Sequence, residues 1–220
     1  MTKVRVWDLP VRLFHWALAA LVIAAIITVK IGGNALQWHF YCGYAVLSLL
    51  GFRILWGVVG TRYARFSSFG CSPSAIVKHM GELKNGRAVR YLGHTPIGSL
   101  SVLAILVVVL MQAGSGLFSN DDIASEGPLV KFISKELSDR ISWFHTEVNA
   151  YLIYGLIAVH VAAVGFYYFR KKEDLVTPMV TGDKEWAESV VDVRDNWGRR
   201  AVALVLLGIC ALGVYYLVNS

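Results

Sequence analysis

The chain is poor in charge. Asp, Glu, Lys and Arg make up only 16% of its 220 residues, where a soluble domain carries roughly a quarter. It is also poor in cysteine: Cys42, Cys71 and Cys210 stand far apart with no C-x-x-C pair, so neither a zinc site nor a redox dithiol is indicated. No C-x-x-C-H occurs, which excludes a covalently attached c-type haem. Cys42 and Cys210 lie in apolar runs and read as small buried hydrophobes. Internal repeats and low-complexity tracts are absent from the sequence.

What is abundant is apolar. Hydrophobic residues reach 56% and the mean hydropathy is +0.54, so disorder is excluded because this much apolar surface demands burial. The net charge of +6 does not point to nucleic acid, because the basic residues fall in short blocks between long apolar runs. That is the pattern of a membrane protein with basic cytoplasmic loops, and its first partner is lipid.

Five apolar stretches, near 11–29, 36–59, 97–118, 141–169 and 201–218, approach the roughly 20 residues that a helix needs to cross a bilayer. The first is expected to be retained. Lys30-Ile31-Gly32-Gly33 offers no small-x-small cleavage site, and the stretch contains His15 and Trp16. Trp7, Trp16, Trp38, Trp56 and Trp143 stand near span ends, where amphipathic rings favour the headgroup region.

Lys and Arg set the expected orientation. The N-terminus carries three, the segment between spans two and three six, and that between spans four and five seven, a total of 16 on one side. Lys30, Lys131, Lys135 and Arg140 make four on the other side, with Arg53 inside a span. The positive-inside rule then puts the N-terminus in the cytoplasm and the C-terminus in the periplasm. Segment 119–140, with five acids against three bases, suits a translocated loop.

Ionisable side chains within spans are costly and are functional candidates by default. Four of the six histidines fall in or at the ends of spans and sort by depth into an outer pair, His39 and His145, and an inner pair, His15 and His160. In a straight helix His145 and His160 would stand about 22 Å apart and roughly 60° apart in azimuth, so both can face one bundle interior. One such histidine alone reads as a headgroup-level side chain. Two depth-matched pairs, with two members on one helix, suit two stacked haems with imidazole in both axial positions of each iron. Zinc is a poor alternative, since two histidines without Cys or carboxylate partners do not complete its shell.

The residues Val6-Trp7-Asp8-Leu9-Pro10-Val11-Arg12-Leu13-Phe14-His15-Trp16 open a resemblance to a known family. Arg90-Tyr91-Leu92-Gly93-His94-Thr95-Pro96 before span three and Leu175-Val176-Thr177-Pro178-Met179-Val180-Thr181-Gly182 after span four extend it. Over residues 4–184 the chain resembles the bacterial cytochrome b561 and Ni,Fe-hydrogenase b-type cytochrome subunit family. The resemblance implies a four-helix membrane bundle with two b haems, passing electrons between the quinone pool and a partner outside the cytoplasmic membrane. It also implies the pairing of His15 with His160 and of His39 with His145, which the depth argument reaches separately. Span five departs from the four-helix pattern, as a lipid-facing addition or a docking surface.

Arg53, about four turns from His39, admits two readings: a counter-charge for an inner-haem propionate, or snorkelling to nearby headgroups. Arg12 has the same two, with snorkelling preferred. His94 beside Pro96 reads as a turn residue or as part of a quinone site, and His79 as a solvated loop residue. Glu147 and Asn149 follow His145 and suit interfacial hydrogen bonding or propionate contact. Gly43, Gly51, Gly114, Gly116 and Gly155 would let a flat macrocycle approach the backbone, or serve ordinary helix packing.

The expected fold is therefore an all-α integral membrane protein. A four-helix transmembrane haem-binding bundle over 1–172 is followed by a cytoplasmic segment over 173–198 and a fifth C-terminal transmembrane helix over 199–220. The expected cofactors are two non-covalent b haems (protohaem IX), with quinone as substrate. The expected place is the bacterial inner membrane and its respiratory chain, with a periplasmic c-type cytochrome or hydrogenase-like redox protein as partner. A stand-alone oxidoreductase passing electrons from superoxide, or another small reductant, to quinone is the second reading. A non-redox membrane anchor is the third.

Overall fold

The computed structural model describes residues 2–85, 89–123, 125–187, 193 and 195–220. Arg87 and Arg194, both used in the charge count, lie outside the described residues. In chain order the elements are β1 (Thr2–Arg5), α1 (Leu9–Ile31), α2 (Leu36–Val59), α3 (Pro73–Lys84), α4 (Pro96–Gly116) and α5 (Lys135–Trp143). A π-helical segment (Phe144–Asn149) joins α5 to α6 (Ala150–Arg170), and α7 (Val176–Thr181), β2 (Asp183–Trp186) and α8 (Trp197–Val218) complete the order.

Among the described residues five helical stretches are long and apolar enough to cross a membrane: Leu9–Ile31, Gly33–Val59, Pro96–Gly116, Lys135–Arg170 and Trp197–Val218. They match the five expected spans, and the chain is an all-α integral membrane protein. The physical reason is that hydrocarbon cannot satisfy backbone N–H and C=O groups, whereas a helix pairs them internally. Exposed Ile23, Ile27, Val107, Leu204 and Val205 give these helices apolar outer faces.

By contact the chain divides into two compact units. One comprises Met1–Leu13, Ile54–Ala104 and Ala158–Ala203; the other comprises Phe14–Arg53, Ile105–Ile157 and Leu204–Ser220.

The first unit is organised around residues 4–9. β1 pairs antiparallel with β2 in the register Val4↔Lys184, a two-stranded ribbon added to the helical architecture. The amides of Val6 and Trp7 then donate to Gly182 O at 2.9 and 3.1 Å. Gly182 has φ +93°, and a Cβ there would stand 2.7 Å from Trp7 O, so only glycine suits this crossing.

Asp8, 1% exposed, follows at once. Its Oδ1 accepts from the Val11 amide at 2.8 Å, capping α1, and Oδ2 accepts from Trp56 Nε1 at 3.1 Å and Thr61 Oγ1 at 2.6 Å. Asp195 Oδ2 accepts from the Leu9 amide, while Arg5 and Arg200 both pair with the same carboxylate. The Arg12 guanidinium donates to Val180 O.

His79 corrects the solvated-loop reading. It stands on α3, capped by Ser72, and is 1% exposed, with Nε2 3.3 Å from Tyr167 Oη and its ring edge-on to Tyr91. Neighbouring Lys78 and Lys84 made the stretch look solvated, but one face of a short helix packs inward.

In the second unit, a Cβ on Gly51 of α2 would stand 3.2 Å from Cys210 Sγ of α8, so the fifth span packs against α2 there. All three cysteines are free thiols, and Cys42 is buried.

Two predictions follow from the clasp around residues 5–9. Asp8→Ala removes a cap worth about 1 kcal/mol and orphans two buried donors at about 1–3 kcal/mol each. It should lower the thermal unfolding midpoint in detergent far more than Asp174→Ala does. Burial pushes the Asp195 carboxyl up, but the Arg200 hydrogen bonds, the Leu9 amide and the charges of Arg200 and Arg5 outweigh it and hold it below the usual range. A depressed carboxylate stabilises the fold above the unfolded value of about 3.9 and loses that contribution as pH falls through the folded value. Thermal melts from pH 7 to pH 3 should show an acid-side loss in the native chain that is shallower in Asp195→Asn.

Candidate functional site

The second unit holds a cavity of about 380 Å³ between α1, α2, α4, the π segment and α6. Its walls are mainly apolar and its polar rim includes Lys30, Asn120, Asp121 and Glu147. His39 of α2 and His145 of the π segment both line it, with ring centroids 6.2 Å apart and planes at 87°. The two histidines assigned to the outer level thus meet at one concavity.

Each ring is held by the chain. His39 Nδ1 lies 2.9 Å from Ala25 O on α1. His145 Nδ1 lies 3.0 Å from Ser115 Oγ, and Ser115 Oγ donates to Gln112 O at 3.0 Å. Gln112 Nε2 is 3.1 Å from His145 Nε2 and also donates to His145 O. Asn149, fully buried at the end of the π segment, donates from Nδ2 to Val108 O at 2.9 Å and to Gln112 Oε1 at 2.7 Å.

The π segment carries His145 at its second position and Asn149 at its last. Such wider turns recur at functional sites, and they need compensation for the poorer helix they make. Here the bond from Asn149 to Val108 O of α4 and the bond from Gln112 of α4 to His145 O supply it. The straight-helix interval used for the 60° azimuth therefore does not hold, because residues 145–149 do not advance at the α-helical angle. No apolar-run reading contains that information.

Glycine matters at Gly116, where a Cβ would stand 3.1 Å from His145 Cε1, and at Gly43, which lines the cavity with nothing within 4 Å of its would-be Cβ. Glu147 reaches the cavity wall but is exposed. Gly114 and Gly155 have open space around them and do not line the cavity.

The remaining candidates are described in their own units. His15 on α1 of the second unit is half-buried, edge-on to Trp16 at 5.0 Å. His160 on α6 of the first unit is half-buried. Arg53 of α2 is 3% exposed, so its guanidinium is buried in the second unit and not extended to a surface. His94 of the first unit packs against Trp7 at 4.7 Å, with the planes tilted by 52°, and against Phe69 at 4.9 Å, edge to face.

The donor chemistry selects among metals. Among the described residues no group of three or more His, Cys, Asp or Glu side chains is placed to hold an ion. Two imidazoles over an apolar, glycine-lined cavity do not fit zinc, and they fit axial ligation of a haem whose ring supplies the other ligands. Gln112 and Ser115 were missed from sequence. Their signal was present as two polar side chains inside the apolar run 97–118, where each needs a partner.

Comparison with known families gives one match: a family model described as prokaryotic cytochrome b561 covers residues 6–182. No curated protein and no solved structure matches the chain.

Gly116→Leu should drive the His145 ring from its position and lower bound haem per protein, with helical circular dichroism retained. Gly155→Ala, whose Cβ meets open space away from the cavity, is the tolerated control. Equal haem content in both variants would contradict this geometry.

Proposed function

Starting from the chain's membership of the prokaryotic cytochrome b561 family, to which the match over residues 6–182 assigns it, we propose that it relays electrons across the cytoplasmic membrane. The relay runs between the quinone pool and a periplasmic redox partner. The family makes the chain a multi-pass membrane b-type cytochrome of electron transfer.

The carrying observation is the meeting of His39 and His145 at one apolar cavity, each with its ring held through Nδ1. A b haem held by His39 and His145 would supply one-electron chemistry, and two imidazole ligands would favour electron transfer over binding of a small molecule. In this reading His39 and His145 ligate the outer haem, and His15 and His160 ligate the inner one. Their place within spans and their depth along the sequence, apart from the outer pair, support the second pair. The buried guanidinium of Arg53 then serves an inner-haem propionate, for which its forked donors suit a carboxylate.

His94 is the quinone candidate. Its ring stands against Trp7 and Phe69 at 4.7 and 4.9 Å, and an imidazole N–H is the kind of donor a quinone carbonyl accepts from. The distribution of basic segments supports a cytoplasmic position for His94. The partner on the other face is a c-type cytochrome or a hydrogenase-like protein.

The test uses the purified full chain. Redox titration should resolve two b-type components, with His145→Ala losing one and His160→Ala the other. In sealed vesicles reconstituted with quinone, an electron donor confined to one side should reduce a membrane-impermeant c-type cytochrome on the other. His94→Leu should slow the quinone-linked rate and leave both spectral components in place. Retention of both components in both histidine variants would overturn the ligand assignment, and sealed vesicles without transfer would overturn the relay.

A further inference from the structure

The hydrogen-bond network around His145 determines which ring nitrogen carries the proton. The network starts at a main-chain group, Val108 O, which can only accept. It therefore fixes Asn149 Nδ2 as the donor at 2.9 Å. The second Asn149 N–H reaches Gln112 Oε1 at 2.7 Å, which fixes the Gln112 amide in turn. Gln112 Nε2 must then donate. One hydrogen goes to His145 O and the other to His145 Nε2, both at 3.1 Å. His145 Nε2 is thus the acceptor and carries the lone pair.

The other side of the ring agrees. Ser115 Oγ has one hydrogen and donates it to Gln112 O at 3.0 Å, another acceptor-only group. Toward His145 Nδ1, 3.0 Å away, the hydroxyl can then only accept. The ring is a neutral imidazole with its proton on Nδ1 and its lone pair on Nε2. His39 reaches the same tautomer by a different route, since its Nδ1 faces the carbonyl of Ala25.

We propose that Ser115 is the positioning residue for His145. It holds the Nδ1–H tautomer so that Nε2 is offered to iron, and it sets the reduction potential of the haem held there. The inference rests on the ligand reading above and deepens it. A hydrogen bond accepted from the far nitrogen of a metal-bound imidazole raises the basicity of that ligand and favours the more oxidised metal. Ser115 does this through a two-bond chain, His145 Nδ1–H to Ser115 Oγ and Ser115 Oγ–H to Gln112 O, in which each bond polarises the next. At His39 the acceptor is main chain and no side-chain substitution removes it. The adjustable contact at this haem is therefore Ser115. Gln112 keeps its second N–H on His145 O, so its amide stays tethered when Nε2 is engaged by a metal.

The experiment is a potentiometric titration of the purified full-length protein, with haem content measured alongside. Ser115→Ala removes the acceptor and should raise one of the two midpoints, leaving the other midpoint and the haem content unchanged. Ser115→Thr keeps the hydroxyl and should restore the native value. Should Ser115→Ala fail to assemble, Ser115→Cys, a weaker acceptor of similar shape, should give a smaller rise in the same midpoint. An unmoved midpoint, movement of both together, or no rescue by threonine would overturn the proposal. His145→Ala separates the two levels of failure. If it loses one haem while Ser115→Ala moves nothing, the positioning role alone falls; if it keeps both haems, the ligand reading falls and this inference with it.

Discussion

Lipid offers no hydrogen bonds, so each polar atom inside a span must be satisfied by the chain or by something the chain binds. That constraint shapes this protein more than any other. It makes the backbone helical over five stretches, and it makes the few polar side chains within them informative. His145 illustrates the consequence. Its ring and carbonyl are met by Ser115 and Gln112, Gln112 is met by Asn149, and Asn149 ends on Val108 O. The wider turn at Phe144–Asn149 belongs to this exchange of partners, because it is the segment that carries both His145 and Asn149.

Outside the spans the same accounting is done by charge. Asp8 satisfies an amide, an indole and a hydroxyl at once, and Asp195 gathers the Leu9 amide with two guanidinium groups. Together they fix the start of α1, six residues before His15. The opening motif thus has a mechanical meaning that resemblance alone does not supply: Trp7 packs against His94, Asp8 caps the helix, and Pro10 stands in the first turn, where its missing N–H costs nothing.

Much of the architecture was legible because it depends on local pattern. Five apolar runs became five helices with ends within a few residues, except that the fourth begins earlier, at Lys135, with a polar turn capped by Ser134. The meeting of His39 and His145 was legible from depth matching. What sequence concealed depends on contacts between distant residues. The β1–β2 ribbon joins residues more than 175 positions apart. His79 looked solvated beside Lys78, yet its partner Tyr167 lies 88 residues away. The π segment leaves no mark in an apolar run. Ser115 and Gln112 were visible as polar exceptions, but only the fold shows that both address one ring.

Protohaem held by histidine pairs is what electron transfer by this chain requires. Extraction into alkaline pyridine, quantified against protein, counts that haem directly in correctly folded, purified chain. The prediction is two protohaem groups per chain. A preparation that is fully folded and helical yet yields none would contradict it.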